Sequence, residues 1–166
     1  ILGAGIAGSS GCQVAVGLGA RVSILDINPT RLRYVHDILG GHVTTVMSNR
    51  ANIEEEVASA DLVIGTVLIP GAKAPKLVSR ALLRTMRPGS AFVDVSIDQG
   101  GCAETSRPTS HHDPIYIEEG VVLTGRALSG GRVGSYALQA AISAIHAQAA
   151  SASDTSKSDG GSATTE

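Results

Sequence analysis

Residues 1–26 read ILGAGIAGSSGCQVAVGLGARVSILD, and they decide the fold of this chain. Gly3, Gly5 and Gly8 give the spacing G-x-G-x-x-G, and an acidic residue, Asp26, follows 18 positions after the third glycine. Because the chain has 20 glycines in 166 residues, the spacing alone is a weak signal. Its support comes from the flanking segments, which have to be strand, helix and strand.

The segments around the glycines have that character. Residues 6–18 are small and mostly apolar, as in a helix that ends at Gly19, and residues 21–25 are a short β-rich run. Only Ile1 and Leu2 precede the first glycine. We therefore expect a first strand that is truncated at its start.

Each glycine has its own task in a dinucleotide site. Gly3 permits the tight turn, Gly5 lets the backbone approach a pyrophosphate, and Gly8 lets the helix pack closely on the strand. Asp26 suits the hydroxyls of an adenine ribose and repels the extra phosphate of NADP, which favours NAD. The alternatives are a plain tight turn for the glycines and a helix cap before Pro29 for Asp26.

Helices and strands continue to alternate along the chain. Pro29 suits the first turn of a helix that Gly40 and Gly41 stop, and Asn52 suits the cap of the next helix. Further predicted helices cover residues 30–39, 52–59 and 76–86. Further predicted strands cover residues 43–47, 62–67, 91–95 and 121–123. The predicted fold class is α/β, a Rossmann-type doubly wound parallel sheet with helices on both faces.

The last part of the chain has weaker signals. Residues 98–119 are rich in Gly, Ser, Thr, His and Pro, and predict either a functional loop or a poorly ordered one. Residues 135–150 have a helical, alanine-rich pattern, and residues 151–166 predict a disordered tail. We expect a dinucleotide-binding domain over residues 1–150, followed by that tail.

The composition argues against several classes of partner. A net charge of −2 with scattered Lys and Arg gives no footprint for nucleic acid or anionic membranes, and 2% aromatic residues leave few platforms for base stacking. Cys12 and Cys102 form no CxxC pair, and we expect no leader, which favours a reducing, cytoplasmic compartment. The uncharged run over residues 62–72 is shorter than the ~20 residues of a membrane helix.

Several candidate site residues follow predicted strands, where open α/β sheets bind ligands. Asp98 either faces this crevice or caps a turn, and Asp94 suits a buried ion pair or a cap. Arg107 offers paired donors for a carboxylate or phosphate, or is a surface arginine. Val67 and Leu68 contact either the cofactor or the core.

Other polar residues have simpler interpretations. Arg31 lies over the adenine ribose or in solvent, and Ser48 is placed to touch the adenine end. Lys73 and Lys76 are most simply solvated. The adjacent His111 and His112 lack a further ligand at helical spacing, so no metal site is predicted. The chain has no G-x-S-x-G motif and no P-loop, which argues against acyl and phosphoryl transfer.

Four stretches together go beyond a generic dinucleotide fold. They are ILGAGIAG, ARVSILDINPTRLRYV, ADLVIGTVLIPGAKAPKLVS and VDVSIDQGGCAETSRPTSHHDP. From Ile1 to about Val122 the chain closely resembles the NAD-binding domain of bacterial-type alanine dehydrogenases, which belong to the alanine dehydrogenase and pyridine nucleotide transhydrogenase family.

The resemblance implies oxidative deamination of L-alanine by NAD to pyruvate and ammonia, in a cytoplasmic homo-oligomer. It places the active-site aspartate of the family's DQGG segment on Asp98, where it assists proton transfers to water and an imine. The positions similar to the family's cofactor contacts are Ile6, Asp26, Arg31, Ser48, Val67, Leu68, Val95, Ser96, Ile97, Asp98 and Arg107.

Two departures from the family pattern matter. The family binds its substrate with an Arg and a Lys, and uses a catalytic His, in a separate domain that has no counterpart in this chain, so we expect the chain alone to be inactive. From Leu123 onward the match fails. Two alternatives stay open, the NAD(H)-binding component of a proton-translocating transhydrogenase and a catalytically silent NAD-binding module. The segments KAPKLVS and DQGGCAETSRPT favour alanine dehydrogenase.

Overall fold

The computed structural model describes residues 1–110 and 112–125, which form alternating helices and strands. The helices are α1 (Ile6–Gly17), α2 (Pro29–Ile38), α3 (Arg50–Ser59) and the short α4 (Arg80–Leu83). The strands are β1 (Ser23–Asp26), β2 (Thr44–Met47), β3 (Leu62–Gly65), β4 (Ala91–Asp94), β5 (Tyr116–Glu118) and β6 (Val121–Gly125). A 3-10 turn, Ile97–Gln99, follows β4. None of the helices in these two ranges has the length and apolar character of a membrane span.

The strands form two groups that meet at Leu2. One group has the order β1-β2 and the other has the order β3-β4-β6-β5. Leu2 forms parallel bridges with Leu25 of β1 and with Gly65 of β3, which places it between the two groups. The resulting order, β2-β1-Leu2-β3-β4-β6-β5, is that of a doubly wound dinucleotide fold, with the first strand reduced to this one position. The predicted α/β class is therefore confirmed, with an antiparallel edge strand, β5, that was not expected.

Alternate residues of the strands pack on opposite faces of the sheet, and each face has its own pair of helices. Helices α1 and α2 cover one face, over Ile24, Ile64 and Val93. Helices α3 and α4 cover the other face, over Leu25, Val63 and Phe92. Burial on both faces explains why β3 and β4 are almost uninterrupted apolar runs in the sequence.

Three local predictions are wrong. The helix expected over residues 76–86 shrinks to α4, because Val78 forms a parallel bridge with Ala103 and its segment is extended. Helix α3 is capped by Asn49, whose side chain accepts from the Asn52 amide 2.9 Å away. Residues 98–119 are not all loop, since they include β5. The predicted helix over 135–150 and the tail over 151–166 lie outside the described residues.

A two-residue turn joins β5 to β6. Glu119 and Gly120 both have positive φ values, 54° and 78°, as the two central residues of a type I′ turn require. Glutamate is unfavourable in this left-handed conformation. Its carboxylate is held by Arg84, with a nitrogen–oxygen distance of 2.9 Å, and by Arg80 at 3.2 Å. These ion pairs connect α4 to the edge of the sheet.

The ion pairs of Glu119 predict a stability that depends on pH. The hydrogen bond from Arg84, then that from Arg80, lowers the pKa of Glu119 below its ordinary value of 4.5. The stabilisation is therefore fully present above 4.5 and disappears as the pH falls through the lowered native pKa. Glu119→Gln should lower the melting temperature slightly at pH 7, and the difference from wild type should vanish in acid. Glu55→Gln, at an exposed position of α3, is the control, and an equal difference at every pH would contradict the role of the ion pairs.

Candidate functional site

The glycine turn lies at the carboxyl edge of the sheet, between Leu2 and α1. Gly3 has a φ of 103°, which L side chains rarely adopt. A β-carbon at Gly8 would lie 1.8 Å from the Gly3 carbonyl oxygen and 2.7 Å from the Thr66 Oγ1, so only glycine lets α1 approach this closely. The Thr66 hydroxyl lies 3.0 Å from the carbonyl oxygens of both Leu2 and Gly3 and donates to this pair. The turn is thus held from the side of β3.

The amino terminus of α1 has room for an anion. Gly5 is the N-cap and makes no side-chain cap, and a β-carbon built on it meets no atom within 4 Å. The first backbone N–H groups of a helix lack intrahelical partners and carry partial positive charge. These residues therefore fit the pyrophosphate of a dinucleotide, as the glycine spacing predicts.

Asp26 ends β1 beside the glycine turn. Its Oδ2 accepts from the Ala4 amide at 2.6 Å, and its Oδ1 accepts from the Asn28 amide at 2.8 Å. An ionised carboxylate has about four acceptor sites, so two remain for ribose hydroxyls. The cap of α2 is Asn28, whose Oδ1 accepts from the Thr30 amide at 2.9 Å, so Asp26 is not the helix cap.

Arg31 binds the glycine turn from α2. Its Nε donates to the Ala4 carbonyl at 2.9 Å, and its Nη2 lies 3.4 Å from the Ser9 hydroxyl. Ala4 is therefore held through its N–H by Asp26 and through its C=O by Arg31. The solvated alternative for Arg31 does not apply, and its contact with the adenine ribose stays a prediction.

The other predicted contacts of the adenine end lie along the same edge. The Ser48 amide donates to the Asp26 carbonyl at 2.9 Å, so Ser48 follows β2 directly beside β1. Ile6 and Leu68 are 85% and 66% exposed, which is unusual for large apolar side chains and suits a ligand surface. Val67 packs partly against the core.

Asp94 is a buried carboxylate that organises the chain after β4. Its Oδ1 accepts from the Ser96 amide at 3.0 Å. Its Oδ2 accepts from the amides of Cys102 and Ala103 at 2.8 and 3.3 Å, and from the Ser106 hydroxyl. Of the two sequence-based interpretations of Asp94, the structure supports the cap.

Lys76 is not simply solvated. Its Nζ donates to the carbonyl oxygens of Gly100 at 2.6 Å and of Ala103 at 2.8 Å. No local pattern around Lys76 predicts this, because its partners lie more than 20 residues further along the chain. The Asn28 cap, in contrast, had a signal in the following proline at the first helical position.

Cys102 belongs to the same segment after β4 and is completely buried. A β-carbon at Gly65 would come within van der Waals overlap of its sulfur, so the glycine at the end of β3 makes room for the thiol. Burial, followed by the nearby Asp94 carboxylate, raises the pKa of the Cys102 thiol well above its ordinary value of 9.0. The thiol is therefore a packing group here.

Asp98 lies in the 3-10 turn after β4 and is exposed. It lines an open pocket of about 380 Å³, whose walls are residues 71–73 on one side and residues 98–100 on the other. Ser96 and Ile97 are only 4% and 5% exposed, and their contacts with the cofactor stay predictions. Val95 is partly buried against Ile64 and Val93. Among the four predicted residues of this strand end, Asp98 alone presents its side chain to the pocket side.

Arg107 lies toward the edge strand β5. Its guanidinium is 4.1 Å from the ring centroid of Tyr116 and its Nη1 is 3.7 Å from the Asp113 carboxylate. These contacts engage it outside the pocket that Asp98 lines, and its role as a cofactor contact stays a prediction. His112 is exposed, and His111 lies outside the described residues.

Comparison with known proteins assigns the chain to a family. A family model described as alanine dehydrogenase/PNT, C-terminal domain, matches residues 1–158. The chain belongs to this family. The resemblance seen in the sequence is thereby confirmed, and the family model extends past Leu123, where the match was expected to fail.

Several known proteins are similar to this chain in sequence or in structure. Alanine dehydrogenase of Methanococcus maripaludis is 55% identical and alanine dehydrogenase 2 of Staphylococcus aureus is 54% identical, each over 123 residues, or 74% of this chain and 33% of the relative. A solved L-alanine dehydrogenase has a TM-score of 0.75 at 50% identity, over 84% of this chain and 38% of that one. A transhydrogenase from Sinorhizobium meliloti has a TM-score of 0.66 at 36% identity, over 75% and 35% of the two chains. The chain therefore spans about one third of the length of the curated relatives it matches.

The bonds of Asp94 predict a large loss of stability when its charge is removed. In Asp94→Asn the amide nitrogen has to face at least one of the backbone N–H groups that the carboxylate now accepts from. One buried donor is left unsatisfied, which costs about 1–3 kcal/mol of unfolding free energy. Urea denaturation measures the change, with Asp61→Asn, at an exposed position, as the control. Equal midpoints for the two variants would contradict the organising role of Asp94.

Proposed function

We propose that the chain is the NAD-binding part of a longer alanine dehydrogenase, which converts L-alanine, NAD⁺ and water to pyruvate, ammonium, NADH and a proton. The observation that carries the proposal is that the glycine turn, Asp26 and Asp98 all lie at the carboxyl edge of one sheet, in a chain of this family. The names of the relatives at 54–55% identity support the substrate.

In this proposal, different residues of the chain bind different parts of the cofactor. The amino terminus of α1 binds the pyrophosphate, and the free acceptor sites of Asp26 bind the adenine ribose. Ile6 and Leu68 cover apolar parts of the dinucleotide, and Ser48 lies near the adenine. Arg31 donates to the Ala4 carbonyl and so keeps the glycine turn in place while Asp26 binds the ribose.

Bound NAD supplies the hydride acceptor. Asp98 lies at the mouth of the pocket, where its carboxylate exchanges protons with the substrate amine and with the attacking water. The carboxylate is exposed, so it reaches a substrate that enters from outside the sheet edge. The groups that bind the substrate carboxylate come from the part of the relatives' length that this chain does not span.

We also propose that the enzyme is a cytoplasmic homo-oligomer. Both cysteines, Cys12 and Cys102, are free and buried, in keeping with a reducing cytoplasm. The resemblance to alanine dehydrogenases also implies a homo-oligomer. Size measurement of the full-length protein in solution tests this.

Asp26 tests the choice of cofactor. Asp26→Ala removes the ribose acceptors and also the acceptor of the Ala4 amide. We expect NAD to bind roughly ten- to a hundredfold more weakly, since hydrogen bonds to a charged group contribute about 1.5–3 kcal/mol each, while discrimination against NADP relaxes. Fluorescence titration with both cofactors measures this, with Asp37→Ala, at an exposed position of α2, as the control. An unchanged dissociation constant would show that the ribose lies elsewhere.

Asp98 tests the reaction. In the full-length protein we expect alanine-dependent formation of NADH, and Asp98→Asn should reduce kcat by about 10²–10⁴, the usual contribution of a positioned acid or base. Because Asp98 binds no part of the adenosine in this proposal, the dissociation constant of NAD should stay close to wild type. Asp61→Asn is the control. If Asp98→Asn keeps wild-type turnover, the aspartate is only a turn residue.

The second candidate is the NAD(H)-binding component of a transhydrogenase. The family model covers both kinds of protein, and the transhydrogenase of Sinorhizobium meliloti has the same fold at 36% identity. Formation of NADH from alanine distinguishes the two, because hydride transfer between nucleotides needs no amino acid. A full-length protein that binds NAD, ignores alanine and transfers hydride between nucleotides would favour this second candidate.

A further inference from the structure

We propose that Lys76, together with Asp94, is a positioning residue that fixes Asp98 for the proposed reaction, and this inference rests on the proposed function. Within residues 100–103 the ammonium donates to carbonyl groups and the carboxylate accepts from N–H groups. Neither needs to touch the substrate. Their effect is on the place and the mobility of the turn that carries Asp98.

Asp94 closes this turn at both of its ends. Its carboxylate accepts from the Ser96 amide just before the 3-10 turn and from the Cys102 amide just after it. The Gly101 amide also donates to the Ser96 carbonyl at 2.9 Å. The chain from 96 to 102 is therefore a closed loop, with Asp98 near its tip.

Two glycines make this closure possible. Gly100 and Gly101 have φ values of 92° and 76°, in the left-handed region. A β-carbon at Gly101 would lie 2.8 Å from the Asp94 Oδ2 and 2.6 Å from the Ser106 Cβ. The second glycine of DQGG therefore lets the backbone lie against the carboxylate.

Lys76 holds the carbonyl side of the same segment. Its ammonium donates to the carbonyl oxygens of Gly100 and Ala103, while Asp94 accepts from the Ala103 amide. Ala103 is thus bound to the carboxylate through its N–H and to the ammonium through its C=O. The N–H and the C=O of Ala103 belong to two successive peptide groups, so the carboxylate and the ammonium together fix the orientation of both, through hydrogen bonds to charged groups.

Lys76 also joins the two walls of the pocket. It belongs to the segment after β3, which carries residues 71–73, whereas its partners belong to the segment after β4, which carries Asp98. The Ala74 amide donates to the Gln99 carbonyl at 2.9 Å, so the two walls are connected directly beside Asp98. A displacement of about 1 Å at a reacting group costs up to about 10² in rate.

Lys76 is a better site for a test than Asp94, because Lys76 is exposed whereas Asp94 is buried. Lys76→Met keeps the apolar stem and removes the charge and the donors. In the full-length protein we expect kcat with alanine to fall about ten- to a hundredfold. The dissociation constant of NAD should stay within about twofold, since the glycine turn and Asp26 are not touched. Lys76→Arg, which keeps the charge and donors, should recover most of the activity.

Hydrogen exchange gives a readout that does not depend on turnover. The amides of Cys102 and Ala103 should exchange about tenfold faster or more in Lys76→Met, because the loop opens more often. Arg50→Met, which removes an exposed cation of α3, is the matched control for exchange, kcat and melting temperature.

The outcomes separate the inference from the proposed function. Lowered kcat with unchanged NAD binding and melting temperature, and with faster exchange, supports the positioning role. Unchanged kcat, or a parallel loss of activity, NAD binding and melting temperature, overturns it while leaving the alanine reaction in place. If the wild type forms no NADH from alanine, the proposed function fails, and unchanged exchange in Lys76→Met then overturns the hold of Lys76 on the loop as well.

Discussion

The structure depends on the backbone hydrogen bonds of one short segment, Leu2 and its neighbours. The Leu2 amide donates to the Ile64 carbonyl at 2.8 Å, and its carbonyl accepts from the Thr66 amide at 2.8 Å. On the other side, Gly3 donates to the Leu25 carbonyl at 2.7 Å. These bonds join β1 to β3 and place the glycine turn between them. Both halves of the proposed cofactor site are therefore positioned through a seam that consists of residues 1–3.

Around this seam, the loops at the sheet edge are held mainly by side chains that bind backbone groups. Asp26 and Arg31 bind the backbone of Ala4, and Asp94 and Lys76 bind the backbone of Ala103. In both places a carboxylate accepts from the N–H and a cation donates to the C=O. Fixed loops of this kind suit a binding edge, because little ordering is left to be done when a ligand binds.

Much of the fold and the nucleotide end of the site could be predicted, because the signals there are local. Three signals depend only on residues that are neighbours in the sequence: the glycine spacing, the apolar run of β3 and the acid that ends β1. The surroundings of Asp98 were harder to predict from the sequence. Asp98 could be proposed from its place after a strand, but most of the partners of Asp94 and Lys76 lie 8 to 27 residues away in the sequence. The helix predicted over residues 76–86 was wrong for the same reason, since the backbone of Leu77 and Val78 bonds to Cys102 and Glu104.

The contact of Cys102 with Gly65 has a consequence for the redox chemistry of the chain. Thiolates are the nucleophiles that attack peroxides and alkylating agents, and the thiol of Cys102 is protonated and enclosed while the loop stays closed. Oxidation to a sulfenic acid would add an oxygen atom to the sulfur of a residue that has no solvent-exposed surface. The loop that carries Asp98 thus shields its own cysteine, and oxidative damage at this position begins with the loop opening.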